Sequence, residues 1–210
     1  MRTGLRRFVV SPNALKIKFY KWYNKTYFKF KGIRFGQGLT VYNKIYVTGP
    51  RGHITIGKNL HFTSGAGVNP ICSNVCGCIH TANAAATIVI GDNVGISSAC
   101  IWAQERISIG NHVNIGGKCL IIDTDVHQID FMARRDSKNT RPSDKRTFVQ
   151  SAPIVIGDDV WIGANCQILK GVTIGSRSVI GAGSIVTKSI PEDCIAAGNP
   201  CRVIRQIVSR

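Results

Sequence analysis

A histidine that follows two carboxylates is the strongest candidate for chemistry in this 210-residue sequence. His127 comes after Asp123 and Asp125, and directly before a long segment without a regular pattern. Histidine ionises near neutral pH, and a hydrogen bond to a carboxylate or carbonyl fixes its tautomer and makes it a good base. The alternative is a corner residue that tolerates any polar side chain. Because histidine, carboxylates and irregular segment coincide, we expect proton transfer at His127.

The elements that must position this histidine are repeats of six residues. Aliphatic residues recur six apart on its C-terminal side, and a small or slim residue follows each of the first five by four positions. The aliphatic residues are Ile156, Ile162, Ile168, Ile174, Ile180 and Val186. Neither a helix nor simple strand alternation gives a strict period of six, whereas a parallel β-helix does. The sequence therefore predicts an all-β solenoid whose repeats begin, irregularly, near Ile33.

The repeat fails at one place. It stops at His127 and resumes at Ile154, and the residues between them contain six Lys or Arg. A long loop inside a repeat array is usually functional or disordered, and insertions map to one face of a solenoid. We predict an N-terminal cap over residues 1–32 and a β-helix domain over residues 33–207, with an excursion loop at 128–153. The tail after Pro191 is predicted to end in a short helix.

The positive charge is concentrated at the N-terminus. The formal net charge is +16, yet no Asp or Glu occurs before Asp92. Residues 14–31 predict a basic, aromatic helix. One face holds Leu15, Phe19, Trp22, Tyr23, Tyr27 and Phe30, and another holds Lys18, Lys21, Lys25 and Lys29. The helix either caps the solenoid or makes a peripheral contact between residues 1–31 and an anionic bilayer, and the two roles are compatible. Nucleic acid is disfavoured because no recognition motif accompanies the charge.

Composition favours a cytoplasmic protein, peripheral at the inner face of the cell membrane if the helix binds lipid. No apolar run approaches the roughly 20 residues of a membrane span, and the first ten residues are too weakly apolar for a signal peptide. Three of the eight cysteines, Cys100, Cys119 and Cys166, fall on the slim position of the repeat. Cysteine behaves there as a small buried hydrophobe, so we expect reduced core thiols instead of disulfides.

No metal is expected. Cys72, Cys76, Cys78 and His80 resemble a metal cluster, but their spacing is not a standard zinc pattern. A γ-class carbonic anhydrase shares the β-helix but needs histidines paired along and between coils. The five histidines of this sequence show no such pairing.

Several segments resemble the left-handed β-helix, hexapeptide-repeat acyltransferases. They are Asp123-Thr-Asp-Val-His127, Pro153-Ile-Val-Ile-Gly-Asp-Asp-Val-Trp-Ile-Gly163, Gly171-Val-Thr-Ile-Gly175, Val179-Ile-Gly-Ala-Gly-Ser184 and Ala197-Gly-Asn-Pro-Cys-Arg202. Within that superfamily the sequence is most similar to the galactoside/maltose O-acetyltransferase group and to acetyltransferases of polysaccharide biosynthesis. The resemblance covers roughly residues 85–207.

The resemblance implies a triangular prism of hexapeptide repeats, and a homotrimer with active sites at the clefts between subunits. It implies acetyl-CoA as acyl donor and a saccharide hydroxyl as acceptor, with His127 as general base supported by Asp125. The family commonly has Asn one coil before the histidine as oxyanion donor. Here the matching stretch is Ile96-Ser97-Ser98-Ala99, and we assign that role to Ser98. Ser97 and Ser98 are alternatively small residues fitted to a coil.

The resemblance also implies a set of donor contacts: Trp161, Gly163, Ala164, Gly181, Ala182, Lys188, Arg202 and Arg205. The tryptophan would flank the CoA channel, the small residues would line the pantetheine path, and the cations would hold the CoA phosphates. Alternatively, the tryptophan packs against the excursion loop, the small residues only satisfy the tight coil, and the cations are ordinary solvated charges. The expected function is O-acetylation of a saccharide in O-antigen, capsule or exopolysaccharide biosynthesis, and the basic N-terminus favours a lipid-linked acceptor. Alternatives are a sugar-amine N-acetyltransferase, a serine O-acetyltransferase, an antibiotic acetyltransferase or an inactive β-helix scaffold.

Overall fold

Short parallel strands separated by tight turns make up most of the computed structural model, which describes residues 12–65, 67–72, 74–136 and 149–208. Within these ranges each coil contributes one strand to each of three sheets, A, B and C, in rotation. Sheet A contains β1 (Arg34–Phe35), β4 (His53–Ile56), β7 (Thr87–Ile90), β10 (Arg106–Ile109), β13 (Ile154–Ile156) and β16 (Thr173–Ile174). Sheet B contains β2 (Thr40–Tyr42), β5 (His61–Thr63), β8 (Gly95–Ser97), β11 (Asn114–Ile115), β14 (Trp161–Ile162), β17 (Val179–Ile180), β19 (Cys194–Gly198) and β20 (Cys201–Gln206). Sheet C contains β3 (Ile45–Thr48), β6 (Gly77–Thr81), β9 (Cys100–Ala103), β12 (Leu120–Ile122), β15 (Gln167–Ile168) and β18 (Ile185–Val186).

The repeated aliphatic residues form the core of the prism. Ile90, Ile109, Ile156 and Ile174 lie in register on successive strands of sheet A, and all four are buried. Burial of one such side chain is worth about 1.5–3 kcal/mol, so each coil is stabilised by the stack that it extends. The six-residue period is the spacing that returns an aliphatic side chain to this stack, and the predicted β-helix is confirmed.

Many corners of the prism place a residue in the left-handed backbone region. Asn93, Asp159 and Asn165 have φ angles of 57°, 56° and 58°. Asn and Asp tolerate this region better than other residues with a Cβ atom. The N–H of Asn93 donates to the carbonyl of Lys58 at 2.8 Å, and that of Asp159 to the carbonyl of Asn111 at 2.9 Å. The corners are therefore hydrogen-bonded from coil to coil, as the strands are.

An α-helix precedes the first coil, as predicted. It spans Pro12–Phe30 (α1), so it begins two residues before the predicted start. Gly32, with φ of 75°, closes it: its N–H donates to the carbonyl of Lys29, and the N–H of Ile33 donates to that of Phe28. This is the Schellman pattern, in which glycine supplies the left-handed residue that turns the chain out of the helix. Residues 1–11 of the predicted cap lie outside the described residues.

The predicted excursion loop begins with a short helix. Phe131–Asp136 (α2) follows Asp130, whose carboxylate accepts the N–H of Ala133 at 2.8 Å and caps the helix. Thr124 and Ser151 form an antiparallel bridge across the base of the loop. Residues 137–148 contain four of the six Lys and Arg residues of the predicted loop, and they lie outside the described residues.

The C-terminal tail is a β-hairpin, so the prediction of a short C-terminal helix is wrong. Strand β19 adds to sheet B beside β17, and β20 pairs with β19 in antiparallel register, with Gly198 opposite Cys201. The tight turn uses Gly198, whose φ is 108°, and Pro200. The last sheet B strand offers an unpaired edge, and pairing with that edge satisfies more backbone groups than a short isolated helix would.

All eight cysteines lie in the described ranges and are free thiols. Cys119 and Cys166 are buried in the core beneath the corner between sheets B and C, as expected. The expectation is wrong for Cys100, which is half-exposed on the outer side of sheet C, because Ala99 takes the buried position there. A 3₁₀ turn at Pro70–Cys72 places a third buried thiol in the second coil.

Candidate active site

His127 lies at the corner that follows β12 of sheet C. The next strand of sheet A, β13, begins only at Ile154, because the excursion loop comes between them. Its side chain is exposed, and its backbone N–H donates to the carbonyl of Asp125 at 2.6 Å. The turn that presents it follows β12, and the excursion loop starts immediately after it. An exposed imidazole on a hydrogen-bonded turn beside a loop has the access that a general base needs.

The residue before the histidine has an unusual backbone conformation. Val126 has a φ of 63°, and its N–H donates to Oγ1 of Thr124 at 3.2 Å. A β-branched residue in the left-handed region is a genuine outlier, and such conformations cost of order 1–3 kcal/mol. The turn that aims His127 is therefore strained.

Asp125 pairs with a lysine of the next coil. Its Oδ1 lies 3.0 Å from Nζ of Lys170, and both side chains are largely buried. Its Oδ2 is buried and has no hydrogen-bond partner among the described residues. The carboxylate predicted to support His127 thus contacts Lys170, and only its backbone carbonyl contacts the histidine, through the histidine N–H.

Asp123 has a structural role. Its fully buried carboxylate accepts the backbone N–H groups of Gln104, Glu105 and Arg106 at 2.6, 2.8 and 2.8 Å. Burial raises the pKa of the Asp123 carboxyl, while the three N–H groups act in the opposite direction. These bonds hold the turn between β9 and β10, where one extra residue enters the repeat.

A depression of 280 Å³ lies on the outer side of sheet B. Gly95 leaves space in its floor, because the neighbouring strands carry His61 and Asn114 at the same register position. The polar and aromatic residues around it are His61, Thr63, Ser97, Asn114 and Trp161. Sequence reasoning missed His61, Thr63 and Asn114. The signal was in the register, because His61, Gly95, Asn114 and Trp161 occupy one column across β5, β8, β11 and β14.

The two candidate serines face different surroundings. Ser97 lines the depression, and its hydroxyl accepts that of Thr63 at 3.1 Å. Ser98 is buried, and its hydroxyl accepts the N–H of Gly65 at 2.9 Å. Ser98 follows β8 with a φ of 43°, and its side chain is buried in the corner, whereas Ser97 is the last residue of β8 and faces outward.

The predicted donor contacts are spread along the C-terminal coils. Trp161 is exposed on sheet B, Arg202 and Arg205 are exposed on β20 at the edge of that sheet, and Lys188 is exposed after β18. A Cβ at Gly163 would lie 2.5 Å from the backbone nitrogen of Ala182. Coil stacking is sufficient to explain this glycine. The same holds for Gly181, where a Cβ would lie 2.8 Å from that of Ala197. Ala164 is half-buried at the corner between sheets B and C.

One chain does not bring all of these residues together. His127, Asp125 and Lys188 lie at the corner between sheets C and A, whereas Ser97 and Trp161 lie on the outer side of sheet B. In a prism with three faces, that corner is opposite sheet B.

The repeats also match known proteins. Residues 153–188 match the family described as Bacterial transferase hexapeptide (six repeats). Galactoside O-acetyltransferase from Escherichia coli (strain K12) is 65% identical over 66 residues, which are 31% of this chain and 32% of that protein. The chain thus spans about a third of the length of this curated relative.

Solved structures extend the likeness over most of the chain. A galactoside acetyltransferase in complex with coenzyme A has a TM-score of 0.53 at 27% identity, covering 91% of this chain and 82% of that one. A variant of AntD, an N-acyltransferase from Bacillus cereus in complex with dTDP-4-amino-4,6-dideoxyglucose and coenzyme A, has a TM-score of 0.64 at 18% identity, covering 88% and 89%, and shows the fold alone. The chain therefore has the three-sheet coil of a left-handed β-helix, and it is similar to hexapeptide-repeat acetyltransferases in its repeats and in its fold.

Proposed function

We propose that this protein transfers an acetyl group from acetyl-CoA to a hydroxyl of a saccharide, with His127 as general base. The observation that carries the proposal is the exposed His127 on a turn held by hydrogen bonds at the break in the repeat. The galactoside O-acetyltransferase likeness supports transfer to a sugar hydroxyl.

In the proposed mechanism, an unprotonated imidazole nitrogen of His127 accepts the proton of the acceptor hydroxyl. The oxygen attacks the thioester carbonyl, and the tetrahedral oxyanion accepts a hydrogen bond from a fixed donor. The C–S bond then breaks, and the sulfur of CoA takes the proton back from the imidazolium. Ser97 replaces Ser98 as the proposed oxyanion donor, because its hydroxyl lines the depression while that of Ser98 is buried.

The active site needs two subunits in this proposal. Because His127 and Ser97 lie on opposite sides of one prism, a histidine from one copy would face the depression of the next. Such a heterologous contact closes into a ring when the rotation fits, and the resemblance to this family favours three subunits.

Sheet C offers the apolar surface that such an assembly requires. Its outer side carries half-exposed residues that are mostly apolar: Cys100, Trp102, Leu120, Ile122 and Ile185. Nε1 of Trp102 is buried and has no acceptor among the described residues. The outer side of sheet A is polar by comparison, with Thr87, Arg106 and Ser108. We propose that sheet C is the face on which the neighbouring subunit packs.

The donor is proposed to lie along the C-terminal coils. Trp161 would contact the pantetheine arm beside Gly163, Ala164, Gly181 and Ala182. Arg202 and Arg205 at the edge of sheet B would bind the CoA phosphates, which favour Arg and Lys donors, and Lys188 would reach the same phosphates from the neighbouring subunit. The three cations are exposed and none forms an ion pair within the described ranges.

The acceptor is proposed to be a cell-envelope polysaccharide precursor, lipid-linked and acetylated on the cytoplasmic side, where acetyl-CoA is available. A sugar amine is the second candidate, because an amine nitrogen attacks the same thioester carbonyl and gives up its proton to the same base. A panel of matched hydroxy and amino sugars, each with acetyl-CoA, separates the two by product mass.

The test is acetyl-CoA-dependent release of the CoA thiol with a saccharide panel. We expect His127→Ala to lose most of the turnover, and His112→Ala, at an exposed corner of the preceding turn, to keep it. Wild-type turnover by His127→Ala on a true acceptor would reject the mechanism. No turnover of any sugar, serine or aminoglycoside by the wild type would favour an inactive scaffold.

A further inference from the structure

Helix α1 presents two opposite faces. The inner face caps the first coil: Asn24 and Phe28 are fully buried, and Nδ2 of Asn24 donates to the carbonyls of Val41 and Asn43 at 3.2 and 2.8 Å. The hydroxyl of Tyr27 donates to the carbonyl of Val47 at 3.2 Å. The helix is therefore fixed to the end of the prism through its C-terminal half.

The outer face exposes aromatic rings to solvent. The exposed fractions are 58% for Leu15, 53% for Phe19, 65% for Trp22, 40% for Tyr23 and 71% for Phe30. An α-helix turns by about 100° per residue, so the mean direction of these five side chains lies about 150° or more around the helix axis from Asn24 and Phe28. The Phe19 and Tyr23 rings stack with centroids 5.8 Å apart. Within the described residues the strip stays exposed, and apart from contacts among its own rings its contacts include the Arg51 guanidinium, 5.8 Å from the centroid of the Phe30 ring.

Lysines border the strip. Lys18, Lys25 and Lys29 are exposed along one side of it, at helical spacing. The first acidic residue of the sequence is Asp92, and the ion pairs within the described ranges involve only Lys170 and Arg177 as cations. The positive charge of α1 is therefore not neutralised by the described part of the chain.

A groove beside the helix adds a place for an anion. It has a volume of 370 Å³ and is lined by Lys25 and Lys29 on the helix and by Phe35, Gly36, Gln37, Gly38 and Leu39 on the first coil. Two ammonium groups over a mostly apolar floor suit a phosphate that is attached to an apolar chain.

We propose that α1 is an interfacial helix that docks the β-helix by its N-terminal end onto an anionic phospholipid surface. Aromatic side chains favour the headgroup layer, and adjacent lysines favour anionic lipids. Among the helices in the described ranges, none has the length and apolarity to cross a bilayer, so the helix lies on the surface in this proposal. Charge complementarity and the ring-rich strip together select a bilayer over a nucleic acid.

Flotation with lipid vesicles tests this proposal on the full chain, without acetyl-CoA or acceptor, so the result is independent of the proposed reaction. We expect the wild type to float with phosphatidylcholine vesicles that contain about 30% phosphatidylglycerol at about 0.1 M salt, and about tenfold less with phosphatidylcholine alone. Phe19→Ser/Trp22→Ser should reduce flotation about tenfold, since it removes the inserted rings. Ile204→Ser, an exposed apolar residue on β20, is the matched control and should float like the wild type.

A second pair tests the charge. Lys25→Gln/Lys29→Gln should weaken binding to the anionic vesicles about tenfold, and Lys58→Gln/Lys118→Gln, two exposed corner lysines, should not. All variants alter exposed side chains, and an unchanged Tm shows that each is folded. Equal flotation of the wild type and Phe19→Ser/Trp22→Ser would overturn the proposal. So would binding to a single-stranded oligonucleotide that depends on the lysines but not on the rings.

Discussion

Nζ of Lys170 lies 3.0 Å from Oδ1 of Asp125, and this ion pair ties two successive coils together two residues before His127. The lysine follows β15, one coil after the strand that leads to the histidine. The pair therefore fixes the start of the turn that presents His127. Lys170 is a positioning residue in this interpretation, and it does not contact the proposed substrates.

Replacement of Lys170 should affect the chemical step. We expect Lys170→Met to lower kcat about tenfold and to leave KM for acetyl-CoA nearly unchanged, because the turn loses its anchor while the donor site stays intact. Steady-state kinetics measure both constants. Lys170→Arg should restore most of kcat, and Lys118→Met is the exposed control. A change in KM alone, without a change in kcat, would contradict the positioning role.

The strain at Val126 predicts a stabilising substitution. Asn adopts a φ of 63° more readily than a β-branched residue, and other corners of this prism use it. We expect Val126→Asn to raise the free energy of unfolding by about 1 kcal/mol at fixed protein concentration, with activity retained. Val126→Gly should also relieve strain, but should lower kcat because the turn becomes mobile. Denaturant unfolding gives the free energies, and a less stable Val126→Asn protein would show that the strain is absent.

The two serines should separate activity from stability. We expect Ser97→Ala to lower kcat about a hundredfold with an unchanged Tm, because it removes the proposed oxyanion donor. Ser98→Ala removes one of the two acceptors of the Gly65 N–H, which also donates to the carbonyl of Val75 at 3.0 Å. It should therefore cost about 0.5–1.5 kcal/mol of unfolding free energy, with kcat nearly unchanged. The reverse pattern would return the catalytic role to Ser98.

The sequence predicts the coil far better than the ends and the site. A six-residue period has one structural solution, so the buried positions from Ile156 to Val186 follow from spacing alone. The tail was harder, because Ala197-Gly198-Asn199-Pro200 is compatible with the end of a helix or with a hairpin turn. Only the free edge of sheet B decides between them, and an edge is a property of the assembled fold.

The surroundings of the candidate site depend on contacts between coils. Asp125 and Lys170 are 45 positions apart, and the depression beside Ser97 depends on which residues share a column across an irregular stretch of repeats. An extra residue before β10 breaks the six-residue spacing. Spacing alone therefore does not show which residues of neighbouring coils are aligned there. Asp123, which holds that turn, thus resembled a catalytic carboxylate in the sequence.

The apolar outer side of sheet C predicts an assembly that a single charge disrupts. We expect Leu120→Glu to dissociate the oligomer and to abolish turnover, because the proposed site needs two subunits. Val155→Glu is the matched control, since Val155 is equally apolar and exposed on sheet A. Sedimentation velocity measures the state of each. An active monomer of Leu120→Glu would reject the shared site.

A pair of thiols on the same side of sheet C gives a chemical probe of this surface. Cys78 and Cys100 are register partners on β6 and β9, and a hydrogen bond from the Cys100 thiol lowers the pKa of Cys78 to about 6. A thiolate reacts with iodoacetamide and a thiol does not, so Cys78 of dissociated Leu120→Glu should be alkylated with a midpoint near pH 6. Cys100→Ala in the same background removes the donor, and the midpoint should rise toward the ordinary thiol value of about 8.5. In the assembled wild type the neighbouring subunit should slow alkylation of Cys78 at every pH. Peptide mass spectrometry measures these rates, and equally fast labelling of the wild type and Leu120→Glu would mean that sheet C is not covered.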